Sequence, residues 1–371
     1  MAPGDPLILP YAGVSPSFAG PLLAAGAGSA VLGTVTFGRN GRLGALSVVR
    51  ADGHFVKVGD DCSIGARSTL HINDGIYPCI IGDRVSVGKN ACVHAATVGS
   101  DVMIADRVVI LDGAVVGDNV ALEAGSTVFP MRRLPGGFLY RGSPAAPVRE
   151  LRAGEVDERR AAMIVEDERI ARAADSSSDI HPSVFVAATA SLKGRLAAAE
   201  GSSIWFSNDF DAGPASIVIG ARTNIQDNTL IRATGEMGVR IGSDAAVGHN
   251  ATIYDCLIGN EALIGIGSTV AVGTVIEDKV LLAAGARTEP GQLLSSGFLY
   301  AGTPAKKRIP LDAAKGALIR LIVEQYRDYS RNFQRLQREQ FAADAKGMPV
   351  RHSQRPGDDP APQKIADLDR R

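Results

Sequence analysis

The sequence predicts an all-β solenoid: two tandem parallel β-helix domains of six-residue repeats, each followed by an α-helix. Three observations carry this. Aliphatic residues recur every six positions, a long stretch of the chain is written twice, and the composition favours small residues, with 42 glycines and only 5% aromatic residues.

In the first half, Ile81, Val87, Val93, Val98, Ile104, Ile110, Val116, Leu122 and Val128 stand six apart, save for one five-residue step from Val93 to Val98. The second half repeats this at Ile241, Val247, Ile253, Ile258, Ile264, Val270, Ile276 and Leu282, with the same short step. A period of six is neither that of an α-helix nor the alternation of a simple strand. It suits a solenoid in which each aliphatic side chain points inward and stacks on its counterpart one coil away. Gly, Asn and Asp supply the tight corners. A β-sandwich would need hairpin turn signals and strict alternation, which are missing.

The duplication sets the domain organisation. IIGDRVSVGKNACVHAATVG is answered by RIGSDAAVGHNATIYDCLIG, and FLYRGSPAAPVR by FLYAGTPAKKR; residue 71 aligns with 232 and residue 94 with 254, offsets of 161 and 160. The expected β-helix domains are residues 1–146 and 179–308. Between them, 147–178 is charged and alanine-rich, with Val156, Met163, Ile164 and Ile170 on one helical stripe. Residues 309–345 form a C-terminal helix with the stripe Leu318, Ile322, Tyr329, Phe333 and Leu336, and each helix is expected to pack along a solenoid. Residues 346–371, rich in proline and charge, are expected to be a disordered tail.

Composition narrows the function classes. A formal net charge of −1 gives no electrostatic ground for binding nucleic acid or an anionic membrane. No apolar run approaches the roughly 20 residues of a membrane span, and the start, MAPGDPLILPYAG, lacks a basic stretch followed by an apolar core, so no leader is expected. Cys62, Cys79, Cys92 and Cys256 show no C-x-x-C spacing in a chain too large to need disulfide staples. A soluble protein of the reducing cytoplasm is expected.

The candidate chemistry lies in how the copies differ. The first keeps His71 and His94 with Lys89 between them; the second has His249 at the lysine position and Arg232 and Tyr254 at the other two. Neither copy alone holds three imidazoles, but one of each does. In these residues, and in PYAGVSPSF, SVVRAD, SSIW, TNIQD, VGHNA, LIGIGSTV and the closing GSPA and GTPA, both halves resemble the γ-class carbonic anhydrases and their relatives, over about 280 of the 371 residues.

That resemblance implies a left-handed β-helix, trimeric assembly and a zinc site at each domain interface, with two histidines from one domain and one from its neighbour. On the matching positions the metal ligands are His71, His94 and His249, for Zn²⁺ or alternatively Fe²⁺ or Co²⁺. Three neutral imidazoles at about 2.0–2.1 Å with an open fourth position suit such a centre; two and a lysine do not. The resemblance adds Arg50 and Asp52, which are Asp211 and Gly213 in the second copy, and Asn224, Gln226 and Asp227, which are Ser63, Gly65 and Ala66 in the first. Arg50 is expected to pair with Asp227 across the interface and Gln226 to hydrogen-bond near the metal's water. All of these positions are kept in one copy and lost in the other, the pattern expected of a single composite site.

The implied activity is hydration of carbon dioxide to bicarbonate. For proton export, Gly53 stands where a glutamate is expected, leaving Asp74, in the loop after His71, as the substitute. Cys256 is read as packing, and His54 and His181 match no ligand position. The expected assembly is a homotrimer of two-domain chains; if each ring of three domains is mixed, three chains carry two complete sites. The reverse interface, bringing Lys89 to Arg232 and Tyr254, would be silent. Two other readings stay open: an acyl-CoA acyltransferase of the same repeat, with His94 or His249 as general base, and an inactive scaffold.

Overall fold

The computed structural model describes residues 6–163 and 178–345. The chain forms two left-handed parallel β-helices, each followed by a helix. A regular coil holds three short strands, so Ile104 stacks on Val87 and Leu122 on Ile104. Val93, Ile110 and Val128 make a second column, and Val98, Val116 and Leu134 a third. No member of the two six-residue series is more than 4% exposed, which is why the period survives in the sequence: each position faces the core once per side of the triangle. In the first copy, strands Ala30–Phe37 and Val48–Val58 run through a corner and join two faces into one 12-stranded sheet.

Helix α1 (Glu155–Ala162) lies on the first solenoid, where Val156 packs with Met103, Ala121 and Leu139. Ile164 and Ile170 of the stripe read from sequence, and the expected tail, lie outside the described residues. Helix α2 (Ala313–Ala345) does more than cover its own solenoid. Its Tyr326, Tyr329 and Phe333 pack with Leu7, Leu9 and Leu32 of the first copy and with Phe185, Trp205 and Phe206 of the second. It therefore clamps both copies. Among the described residues no helix is long and apolar enough to cross a membrane.

Beneath α2 the copies meet along one corner column of the second: Ser207, Asn228, Asn250, Gly267 and Gly285, all left-handed in φ. Asn228 Nδ2 donates to Thr69 Oγ1 at 2.9 Å, and Asn250 Nδ2 to the Arg67 carbonyl at 2.7 Å and Asn90 Oδ1 at 3.1 Å. Lower down, only glycine fits. A Cβ at Gly267 would lie 2.5 Å from Val109 Cγ2, and one at Gly285 2.6 Å from Thr127 Oγ1. Gly125, the first copy's counterpart of Gly285, is also left-handed, but a Cβ there would meet nothing within 4 Å. Both Gly285→Val and Gly125→Val carry backbone strain, and only the first overpacks the seam, by a further ~1–3 kcal/mol. Urea unfolding of the two variants reads the difference, and equal losses would show that the seam is not formed.

Candidate metal centre

His71 ends strand Thr69–His71 and His94 ends the neighbouring strand Cys92–His94, in register one coil apart. His249 follows strand Ala246–Val247 at the second copy's corner column. The seam brings the three together, with their ligating nitrogens all within 4.8 Å of one another; among the described residues no other group of His, Cys, Asp or Glu is placed to share an ion. His71 and His249 are buried and His94 is half-buried.

Carboxylates fix the tautomers. His71 Nε2 lies 2.9 Å from Asp52 Oδ1, and His94 Nδ1 lies 2.5 Å from Asp112 Oδ1. An ionised carboxylate only accepts, so these two nitrogens carry the protons. The remaining two, His71 Nδ1 and His94 Nε2, face each other at 3.2 Å, and these tautomers direct their lone pairs inward. Nitrogens bound to one zinc at tetrahedral angles stand about 3.3 Å apart, given bonds of about 2.0–2.1 Å. His249 Nδ1 is 3.2 Å from Asp227 Oδ2, close but not aligned for a hydrogen bond, and its Nε2 lies 3.1 Å from the Tyr326 hydroxyl.

Burial, opposed by nearby Asp227, pushes His249 down to about 4. Burial, reinforced by the Arg50 charge, holds His71 well below its ordinary value. Both are therefore neutral, the form that binds metal.

Behind the imidazoles sits a fully buried Arg50. Its Nε is 3.0 Å from Asp227 Oδ2, its guanidinium also pairs with Asp52, and Nη2 donates to Tyr326 Oη at 3.1 Å. The guanidinium carbon lies 4.5 Å from the centre of the Trp205 ring. Although burial opposes the charge, Asp227 and Asp52 hold Arg50 protonated. Burial pushes Asp52 up despite Arg50, whereas Asp227 ends below its usual range because Arg50 and His249 outweigh burial. Three carboxylates, Asp52, Asp112 and Asp227, face the single guanidinium of Arg50, an acidic surrounding that suits a cation. The facing nitrogens of His71 and His94, the neutrality of His71 and His249 and the acidic surroundings fit a divalent metal.

The positions singled out from sequence are partly gathered here. Arg50, Asp52, Asp227 and the three histidines form one network. Gln226 is buried, and its side chain donates to Asn224 Oδ1 at 3.1 Å. His54 and His181 lie apart, bonded to Phe55 N and Ser183. Burial raises the Cys256 thiol to about 12, so it packs as a neutral thiol. Arg232 is taken up by Asp209 at 2.6 Å within its own copy. First copy meets second copy within a single chain: the corner column and α2 hold the copies side by side, so His71, His94 and His249 gather without a partner chain.

Tyr326 and Asp112 were not singled out from sequence. Tyr326 lies on a helical stripe that reads as packing, and only the crossing of α2 over the seam aims its hydroxyl at His249 and Arg50. Asp112 sits at a corner where carboxylates are common.

Fold and site together define a hexapeptide-repeat β-helix protein with a three-histidine centre between two copies of its domain. Family models described as "Bacterial transferase hexapeptide (six repeats)" and "Hexapeptide repeat of succinyl-transferase" match residues 95–130 and residues 55–76 and 257–286. Gamma carbonic anhydrase 2, mitochondrial, of Arabidopsis thaliana is 36% identical over 138 residues, covering 36% of this chain and 50% of that protein. Protein YrdA of Escherichia coli is 32% identical over 117 residues, covering 30% of this chain and 64% of that protein. The chain thus spans about half the length of the Arabidopsis relative. A putative acetyltransferase structure from Desulfovibrio desulfuricans G20 shares the fold, at TM-score 0.50 and 16% identity over 85% of this chain and 71% of that one. Parts of the chain thus match hexapeptide-repeat family models, and one stretch is similar in sequence to the γ-carbonic anhydrases.

Proposed function

We propose that the protein is a zinc-dependent carbonic anhydrase with one composite site per chain, hydrating carbon dioxide to bicarbonate. The observation that carries this is that His71 Nδ1 and His94 Nε2 face each other at 3.2 Å while Asp52 and Asp112 take the opposite ring nitrogens. His71, His94 and His249 would hold the metal; Fe²⁺ and Co²⁺ suit the same donors. Once bound, the metal supplies the Lewis acidity that makes water a nucleophile near neutral pH.

The chain's own residues do the rest. Asp52 and Asp112 hold two imidazoles with their lone pairs inward, and Arg50 ties both copies to the site through Asp52 and Asp227. Gln226 is one coil away, where it would orient water. Asp74 is the group for proton export. A side chain at Gly53 would put its Cβ 1.9 Å from Asp74 Oδ1, so the Asp74 carboxylate takes the space of the glutamate absent at 53. Gln325 Nε2 donates to it at 3.3 Å.

Stopped-flow hydration by zinc-loaded protein tests the reading. The expected result is activity that Asp74→Asn lowers in weak buffer and that concentrated imidazole restores. Acetyl-CoA binding without hydration would favour the acyltransferase, and neither activity the scaffold. Assembly as a homotrimer is proposed separately: a solution mass near three times 38.7 kDa supports it, and one near 38.7 kDa removes it. The four cysteines are buried free thiols, in keeping with the cytoplasmic location proposed.

A further inference from the structure

We infer that Asp112 is a positioning residue for the metal centre: it holds the proton on His94 Nδ1, so that Nε2 is fixed toward the ion, and Asn73 fixes Asp112 in turn. The inference rests on the metal reading of the site.

The two first-copy imidazoles are treated alike. His71 is held by Asp52 from the preceding coil and His94 by Asp112 from the following one, through Nε2 and Nδ1 respectively. The two carboxylates thus push opposite ring nitrogens outward and leave the inner pair facing. Asp52 is anchored by Arg50. Asp112 has its own anchor, since Asn73 Nδ2, in the loop after His71, donates to Asp112 Oδ2 at 2.7 Å. One carboxylate oxygen is committed to Asn73 and the other to His94, so the ring cannot turn without breaking a bond.

An independent observation comes from the other copy. At the offset of 160 that takes His94 to Tyr254, Asp112 becomes Val272, and at the offset of 161 that takes His71 to Arg232, Asn73 becomes Thr234. Val272 is 50% exposed, so no packing demand of the solenoid corner selects an apolar residue there. The carboxylate, its amide anchor and the imidazole it serves are all present in the first copy and all absent from the second. A carboxylate needed only to turn the corner would have no reason to vanish together with the histidine. Asp112 and Asn73 therefore extend the set of positions divided between the copies. Carboxylate partners of ligating histidines generally fix the tautomer and raise the donor strength of the ring.

The test has two arms. Zinc affinity by chelator competition is expected to fall about 10–100-fold in Asp112→Val. Asp112→Asn, whose amide oxygen still accepts from Nδ1–H, is expected to recover most of that loss, and it serves if the valine variant does not fold. In the second arm, ¹⁵N NMR of histidine-labelled, metal-free protein reads the tautomer of His94 among only six histidines. The expected signal is protonated Nδ1 in the unaltered protein and in Asp112→Asn, shifting to Nε2–H in Asp112→Val. Unchanged affinity together with an unchanged His94 tautomer in Asp112→Val would overturn the inference. If the unaltered protein binds no zinc, the proposed function fails, and the tautomer arm still decides Asp112.

Discussion

Protein purified without chelator is expected to carry one zinc per chain, and His249→Ala to carry none, as is His71→Ala. The symmetry of the two outcomes is the point: the residues belong to different copies and are separated by nearly half of the chain, so equal loss means one shared ion. Apparent binding free energies of about 10–16 kcal/mol for zinc sites, spread over their ligands, make each imidazole worth several kcal/mol. Losing one therefore weakens binding at least about a hundredfold. The buried network amplifies this, because without His249 the Tyr326 hydroxyl and Asp227 each lose a neighbour. Retention of a full zinc complement in His249→Ala would remove the second copy from the site. Two zinc ions per three chains would replace the single-chain site with one built between chains.

Arg50→Met is expected to destabilise the fold by about 3–5 kcal/mol, the cost of removing one partner from a buried charge cluster. Asp52 and Asp227 are both fully buried, and each loses its guanidinium partner at once. Tyr326 loses a donor and Trp205 its stacked cation. Because Arg50 belongs to the first copy and Asp227 to the second, the loss falls on the seam as well as on the first solenoid. A second change, Asp227→Asn in the Arg50→Met background, removes one of the stranded charges and is expected to restore part of the loss. Urea unfolding measures both. A change below about 1 kcal/mol for Arg50→Met would mean that the cluster is not buried as described.

Much of the site was legible because the duplication supplied its own comparison. Arg50 set against Asp211, and Asp227 against Ala66, marks each as a position one copy still needs, and the two side chains meet at 3.0 Å. The same comparison at 112 and 272 would have found Asp112, but a lone carboxylate at a solenoid corner carries no mark of its use until His94 is seen against it. Tyr326 was harder. Its neighbours on the helix, Ile322, Tyr329 and Phe333, pack, and a helical stripe says which side is buried but not against what. Asp74 stood in the open as a substitute for the glutamate missing at 53, yet only the space above Gly53 shows that the two side chains would occupy the same volume.

The sequence by itself determined the coil. A side chain facing the core every six residues is a local, repeated demand, so the period, the inward columns and the corners are written residue by residue. It also divided the chemical residues between the copies. Tertiary structure alone decided that the copies complete each other inside one chain. Docking depends on the fit of a whole surface: glycine at 267 and 285 where the first copy presses close, asparagine amides that reach across, and a helix that spans both solenoids. None of these has a periodic signature, because each is made once, between residues far apart in the chain.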